Sequence, residues 1–427
     1  MAMFSGGVHP RDCKGLTAGK EIGVCPEPEE VYISLSQHIG APAVPVVQAG
    51  DRVLRGQLIA KKADGLSANV YASVAGRVRE IGGHITARGK KTPHIIIEND
   101  HTDESVSLSP LPDFSQQSVL SRIEEAGIVG MGGAGFPTAA KLSVGGRADI
   151  LVVNGAECEP YISCDNAVML RYTGEFLAGV RHCMTASGAQ RAVIGIEKNK
   201  PEAIARLRSN LPENVSVMPL RTRYPQGAEK QLIRSCTGRT VPEGKLPVDA
   251  GVVVVNVHTA FSVYRAVEEN IPCYERIVTV SGRAVERPQN LWVKNGTLFR
   301  VLAEYCGAKE NCARIVSGGP MMGEAVFSLK ECATKTVSSL LFLDETECET
   351  KIASVCIGCG KCVQACPMGL LPVYIDAAVL RKDYAEAKRC GASSCIGCGC
   401  CSYVCPANRY LVQSVKLGKK IIAERKI

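Results

Sequence analysis

The run Cys356-x2-Cys359-x2-Cys362-x3-Cys366-Pro367 occurs a second time as Cys395-x2-Cys398-x2-Cys401-x3-Cys405-Pro406. No other feature of the chain limits its fold so tightly. Two-residue gaps let one tight loop set three thiolates around three irons of a cubane. The fourth cysteine lies beyond a turn, stiffened by the proline after it, and reaches the other cluster. One 4Fe–4S cluster is therefore assigned to Cys356, Cys359, Cys362 and Cys405. The other is assigned to Cys395, Cys398, Cys401 and Cys366. Zinc is the competing reading, but zinc sites use two Cys-x2-Cys pairs with a longer gap between them.

Such clusters carry one electron each, so the rest of the chain must say where electrons enter and leave. Its 427 residues exceed one hydrophobic core and predict about two to four domains. Of 21 cysteines, those outside the motif read as buried small apolar residues rather than disulfides, because the clusters need reduced thiolates. The net charge of +8 hints weakly at acidic partners. Basic residues are interspersed with acidic ones, and one Trp with eight Phe gives no stacking platform, which argues against nucleic acid. No stretch reaches about eighteen apolar residues, and residues 1–10 lack an apolar signal core.

Taken in order, residues 1–110 read as β-rich. Gly50-Asp51 and Gly56-Gln57 supply turns, and Arg77-Val78-Arg79-Glu80-Ile81 alternates as a half-buried strand. The pattern resembles a lipoyl-type barrel-sandwich hybrid. Its tip, residues 64–69, carries no lysine for a cofactor; Lys61 and Lys62 read as solvated, and the module as structural or a docking surface. Residues 111–270 alternate apolar β-branched runs with helical segments, which predicts a largely parallel sheet covered on both faces. Asn199 is a candidate cap for a helix with Pro201 in its first turn. Residues 271–345 turn β-rich again, with Ile277-Val278-Thr279-Val280-Ser281-Gly282 alternating and a turn at Asn295-Gly296. Residues 346–427 hold the clusters, with a helix over 373–389 between the runs. Lys416, Lys419, Lys420, Arg425 and Lys426 read as a solvated basic tail.

Gly130-Met131-Gly132-Gly133-Ala134-Gly135-Phe136-Pro137-Thr138 matches Gly-x-Gly-x-x-Gly. An ordinary Rossmann site is rejected, because residues 121–126 look helical where a strand is needed and Asn154, not an acid, follows the next strand. What remains is a glycine-dense loop that lets backbone approach a flat ring or a phosphate closely. Three polar loops join it at strand ends: Asn154-Gly155-Ala156-Glu157-Cys158-Glu159-Pro160-Tyr161, Tyr224-Pro225-Gln226-Gly227-Ala228-Glu229-Lys230 and Asn256-Val257-His258-Thr259. Taken singly, His258 and Cys158 read as core or cap residues, and Glu157 and Glu159 as solvated.

Together these four stretches resemble the flavin and NADH site of the NADH-binding flavoprotein subunit of respiratory complex I, and residues 277–300 resemble the ubiquitin-like domain that follows there. The leading module, with Gly6-Gly7-Val8-His9-Pro10 and Gln37-His38-Ile39-Gly40-Ala41-Pro42, and the doubled cysteine run go beyond that subunit. The whole order resembles the C subunits of Rnf electron-transport complexes. The resemblance implies a multidomain α/β chain. Residues 1–110 would be an N-terminal β barrel-sandwich hybrid, and 111–270 an α/β flavin/NADH domain. Residues 271–345 would be a ubiquitin-like β-grasp (SLBB) domain, and 346–427 a helical double 4Fe–4S ferredoxin-like domain. It implies FMN held without a covalent link by Gly130, Gly132, Gly133, Gly135, Lys141, Asn154, Glu157, Tyr224, Gly227, Glu229 and Asn256. Phe136 and Glu159 would hold nicotinamide, Glu159 orienting NAD(H) for hydride transfer. Met131, Ala156 and Ala228 stand where the complex I family has an arginine, an aspartate and an acid.

The chemistry implied is hydride exchange between NAD(H) and FMN, then one-electron transfer through the two clusters. Other Rnf subunits would be the partners, with ferredoxin as a candidate, and the chain would sit at the cytoplasmic face of the membrane through them. Three rivals are a related reductase with another acceptor (a cobalamin reductase or an amino-acid-reductase partner), a flavin-less electron carrier, and a scaffold with structural clusters.

Overall fold

In the strand Ile150–Gly155, Leu151 and Val153 enter one apolar layer while Ile150 and Val152 enter another. Val252–Asn256 divides in the same way, with Val253 and Val255 on one side and Val252 and Val254 on the other. Successive side chains point to opposite faces of a strand, so runs this apolar need cover on both. The computed structural model, which describes residues 4–85, 91–348 and 352–425, supplies that cover. The sheet is parallel throughout, in the order Val215–Leu220, Arg191–Glu197, Ile150–Gly155, Val252–Asn256. Gln116–Glu125, Thr173–Ser187 and Val257–Val267 pack one face through Val119, Phe176 and Phe261. Glu229–Thr237 packs the other through Leu232 and Ile233. Pro201 opens the helix Pro201–Arg208, but the cap position is Lys200 rather than Asn199, and the Asn199 side chain accepts from the Lys200 ammonium.

The N-terminal segment builds two small antiparallel sheets around Val31, Ile33, Ile59, Ile95 and Ile97. Residues 64–69 connect two of its strands, and Lys62 pairs with Glu124 of the flavin-type domain rather than being merely solvated. Not all of the segment stays there. Ile22–Val24 runs parallel to Gln289–Lys294 and forms the edge of a six-stranded sheet. That sheet includes Glu275–Ser281, Ser339–Asp344 and Cys312–Ser317 and is packed by the helix Phe299–Cys306. From Arg276 to Ser281 the Glu275–Ser281 strand is buried on both faces, although its sequence alternates. The sheet lies against the flavin-type domain as well as its own helix: Ile277 belongs to that domain's core, and Val278 and Val280 to the sheet's own.

The cysteine region is helical. The expected single helix between the runs is two, Pro372–Leu380 and Tyr384–Arg389, broken at Lys382 in the left-handed conformation, with Asp383 capping the second. Lys416, Lys419, Lys420 and Arg425 are exposed, but they stand on a helix rather than on a loose tail. Leu411–Arg425 is a helix that buries Val415 and Ile422 against Ile375 and Val379. It lies so close that a Cβ at Gly418 would come 2.5 Å from Val379 Cγ2. Lys419 donates to the Cys395 carbonyl at 2.7 Å; Lys426 lies outside the described residues.

Candidate functional site

Strand register sets Asn154 beside Asn256 and beside Gly195, at the C-terminal edge of the parallel sheet. Ligands bind at this edge in open α/β sheets. The glycine loop crosses over it. A Cβ on Gly132 would come within 3.0 Å of Asn256 Cβ, and the Met131 amide donates to Thr259 Oγ1 at 2.9 Å. Gly130 N–H donates to the Phe136 carbonyl and Gly135 N–H to the Gly130 carbonyl, which closes the loop on itself. Gly135 has φ +69 and packs against Gln37, His38 and Thr336, so a side chain there is both strained and obstructed. Thr138–Leu142 follows, and Lys141 reaches Glu229 at 2.7 Å.

The other loops meet around the same edge. Asn154 Nδ2 donates to the Gly227 carbonyl at 2.9 Å, and Gly227 N–H donates to Cys158 Sγ. Asn256 Oδ1 caps the helix Val257–Val267, while its Nδ2 donates to Asp165 at 2.6 Å. His258 is a core residue of that helix, packed on Phe261 and Trp292. Glu157, in the left-handed conformation at φ 44, accepts from Asp165 N–H at the start of Cys164–Arg171. Burial, and then the charge of Glu157, raises the Asp165 pKa.

Neither glutamate of the loop is solvated. The Glu157 side chain is 3% exposed. Glu159 accepts from Met321 N–H at 3.0 Å and lies 3.5 Å from the Tyr224 hydroxyl. Burial pushes its pKa up to about 7, against the pull of the Met321 and Met322 amides. Two lysines that no sequence pattern marks hold this loop from below. Lys14, from the N-terminal segment, donates to the carbonyls of Glu159 and Ile162 and stands 4.0 Å from Glu157. Lys200 donates to the Ala156 carbonyl at 2.7 Å, with Glu197 3.9 Å away. Burial, and then the charge of Lys14, lowers the Lys200 pKa. A single lysine in a polar stretch carries no pattern, so only the fold reveals this pair.

These loops suit a flat, phosphorylated ligand. A Cβ at Gly133 would meet nothing within 4 Å, so the loop is open on that side. Thr138 Oγ1, Glu157 Oε2 and Asn166 Oδ1, on the segments that build these loops, are buried with no hydrogen-bond partner in the chain, and buried polar atoms are normally satisfied. Phe136 is half-exposed beside the opening. Met131 is a core residue, its sulfur accepting from Ser262; Ala156 is fully buried, and Ala228 is the cap position of Glu229–Thr237.

The two cysteine runs fold alike. Gly358 and Gly397 have φ 69 and 68, and Gly360 and Gly399 have φ 70 and 80. Cys366, Cys395, Cys398 and Cys401 line one cavity with Ile375 and Val415, three from the second run and one from the first. Gly397 N–H donates to Cys395 Sγ and Leu370 N–H to Cys366 Sγ, the kind of bond that steadies a ligand sulfur. Among the described residues no three His, Cys, Asp or Glu side chains converge closely enough to hold a single metal ion. Cys400, fully buried beside Cys398, favours the deprotonated form of Cys398 by hydrogen bonding. In the first run Cys356 and Cys359 are exposed and Cys362 is half-buried, as is Cys405 of the second run; burial raises the Cys362 pKa, with the charge of Cys405 a lesser contribution. Of the cysteines outside the eight, Cys25, Cys164, Cys183, Cys236, Cys273, Cys306, Cys332 and Cys400 are buried, and all are free thiols.

Comparison with known proteins places each part. Residues 2–102 match the RnfC barrel sandwich hybrid domain and 123–265 the Nuo51 FMN-binding domain. Residues 277–325 match the SLBB domain and 349–406 the 4Fe-4S dicluster domain. The chain is 44% identical, over 90% of its length and 86% of the relative's, to the C subunit of a proton-translocating ferredoxin:NAD(+) oxidoreductase complex from Clostridium ljungdahlii. It is 39% identical, over 99% of its length and 98% of the relative's, to the C subunit of the Na(+)-translocating complex of Acetobacterium woodii. It is 40% identical to the C subunit of the ion-translocating oxidoreductase complex of Rhodobacter capsulatus, over 98% of its length and 83% of the relative's. Among solved structures, an NAD+-reducing NiFe hydrogenase shares the fold at TM-score 0.51 and 18% identity, covering 73% of this chain and 55% of that one.

Proposed function

The chain belongs to the family of C subunits of ion-translocating ferredoxin:NAD+ oxidoreductase complexes, and on that premise we propose that it is the NADH-binding, electron-transferring module of such a complex. The observation that carries this reading is the Tyr224 side chain. Its hydroxyl donates to the Cys398 carbonyl at 2.7 Å while standing 3.5 Å from Glu159, so one buried residue joins the flavin-type loops to the cluster cavity.

FMN, when bound, takes the two electrons of a hydride and releases them singly, as each 4Fe–4S cluster requires. Gly130, Gly132, Gly133 and Gly135 would let the loop come close to the ring. Lys141, Asn154, Glu157, Gly227, Glu229 and Asn256 would present polar groups to it, Tyr224 would border it with its ring while its hydroxyl stays on Cys398, and Phe136 and Glu159 would hold nicotinamide. The eight motif cysteines hold the clusters in crossed sets, Cys405 completing the first and Cys366 the second. Tyr224, buried between the flavin-type loops and the cluster cavity, leaves little room for water there. The division at residues 110, 270 and 345 is our reading of the domains. No helix among the described residues is long and apolar enough to cross a membrane. We take attachment to come from the other subunits, at the cytoplasmic face, with ferredoxin as redox partner of the assembly.

The test is the visible spectrum of protein reconstituted with iron, sulfide and FMN. NADH should bleach both the flavin and the cluster absorbance. Flavin bleaching with unchanged cluster absorbance would remove the clusters from the path, and no bleaching would remove the NADH site.

A further inference from the structure

The barrel domain begins with a stretch that is not part of any barrel. Residues 6–14 run between the flavin-type loops and the cluster cavity and touch both. Gly7 N–H donates to the Ala365 carbonyl at 2.9 Å, next to Cys366. Gly6 has φ +72, and a Cβ there would stand 2.5 Å from the Cys366 carbonyl oxygen. Val8 and Tyr224 exchange both backbone hydrogen bonds, at 2.8 and 2.9 Å, and a Cβ on Gly7 would stand 2.6 Å from the Tyr224 carbonyl. The Asp12 carbonyl accepts from Tyr161 N–H at 2.8 Å. Lys14 then fastens Glu159 and Ile162. Nine residues thus bind the Cys366 turn, Tyr224 and the 157–162 loop to one another.

We propose that residues 6–14 are a positioning strap that fixes the flavin loops against the cluster of Cys366, Cys395, Cys398 and Cys401. The inference rests on the proposed function and deepens it. Electron transfer falls steeply with separation and needs no contact from the strap itself. What it needs is that two separately folded domains keep one spacing. Backbone bonds do this better than surface side chains, because their geometry is fixed by the peptide units. Gly6 and Gly7 are glycine because backbone from the cluster turn and from Tyr224 occupies the space of a Cβ. Val8 packs with Tyr224, Ala365 and Cys398, and Lys14 reaches the 157–162 loop, where burial makes its two carbonyl bonds costly to lose.

Gly6→Val in the reconstituted full chain should push the strap away from Cys366. Gly65→Ala is the control, since Gly65 has φ +79 but open space around its Cβ, giving backbone strain without the contact. In Gly6→Val, NADH-driven flavin bleaching should keep the wild-type rate and iron content should be unchanged. Cluster bleaching in stopped flow should slow by roughly tenfold or more. Amide exchange at residues 365–370 should rise. Lys14→Met, loosening the other end, should also slow cluster bleaching with iron retained, and it decides the matter if Gly6→Val loses its clusters. Wild-type cluster bleaching with raised exchange at 365–370, or in iron-replete Lys14→Met, overturns the proposal. Absence of NADH bleaching in the wild-type protein would instead overturn the proposed function.

Discussion

The hydroxyl of Tyr224 donates to the main-chain carbonyl of Cys398 across 2.7 Å, and both residues are buried. The bond crosses from the flavin-type domain to the second cysteine loop, and it depends on one oxygen atom. Tyr224→Phe keeps the ring and its packing but leaves that carbonyl without its donor. A buried acceptor stripped of its partner costs about 1–3 kcal/mol. The variant should bind flavin and iron, unfold at a lower urea concentration, and pass electrons from NADH to the clusters more slowly than wild type. An unchanged cluster-reduction rate would show that the bond is structural only.

Cys366 reads as the first run's contribution to the second run's cluster. It lines the cavity with Cys395, Cys398 and Cys401, and Leu370 N–H points at its sulfur. In Cys366→Ser, iron should fall from roughly eight to four per chain, with the cluster of Cys356, Cys359, Cys362 and Cys405 surviving. The spectroscopic signal that remains should be that of the more exposed cluster. Loss of that exposed cluster, with the buried one intact, would reverse the crossed assignment.

How much of the fold and the site is legible in the sequence varies with the kind of signal. Cysteine spacing is rigid chemistry and is plain in the sequence; in the structure Cys366 lines one cavity with Cys395, Cys398 and Cys401. Val252-Val253-Val254-Val255 reads as a strand covered on both faces because nothing polar interrupts it, and both faces are covered. The N-terminal segment misleads because local pattern cannot report a partner far along the chain. Ile22–Val24 pairs with Gln289–Lys294, and Gly6 lies against Cys366. The basic residues 416–425 read as solvated and are exposed, but their charge hides the helix that carries them: Val415 and Ile422 are spaced for one helical face and bury it. Lys14 and Lys200 leave no trace, since a buried cation and a solvated one look alike until the carbonyls around them are placed.

Gly133 separates fold from flavin binding. A Cβ there meets no protein atom within 4 Å, so Gly133→Ala should leave the core intact apart from the strain of its φ of +152. The methyl would project into the opening between the loops. Flavin content after reconstitution should fall severalfold while iron content stays at the wild-type value, read from extracted FMN and from colorimetric iron. Full flavin occupancy in the variant would place the ring elsewhere.

Glu159 should give the site a pH dependence whose sign can be worked out. Burial raises its carboxyl from 4.5 in the open chain to about 7 in the folded protein. Between those values the folded state holds a proton that the unfolded state has released, so folding is favoured by acid over this range. The contribution is full below pH 4.5 and is lost as pH rises through about 7, a change on the order of 3 kcal/mol for a group this deeply buried. Glu159→Gln keeps an oxygen for the Met321 amide and removes the titration. The variant should match wild type in apparent Tm at pH 5 and exceed it at pH 8. Its KM for NADH should rise with little change in FMN content, because the carboxylate faces nicotinamide in our reading. Equal losses of FMN and NADH binding would contradict that placement. A Tm difference that does not vary between pH 5 and 8 would mean that Glu159 titrates near its ordinary value.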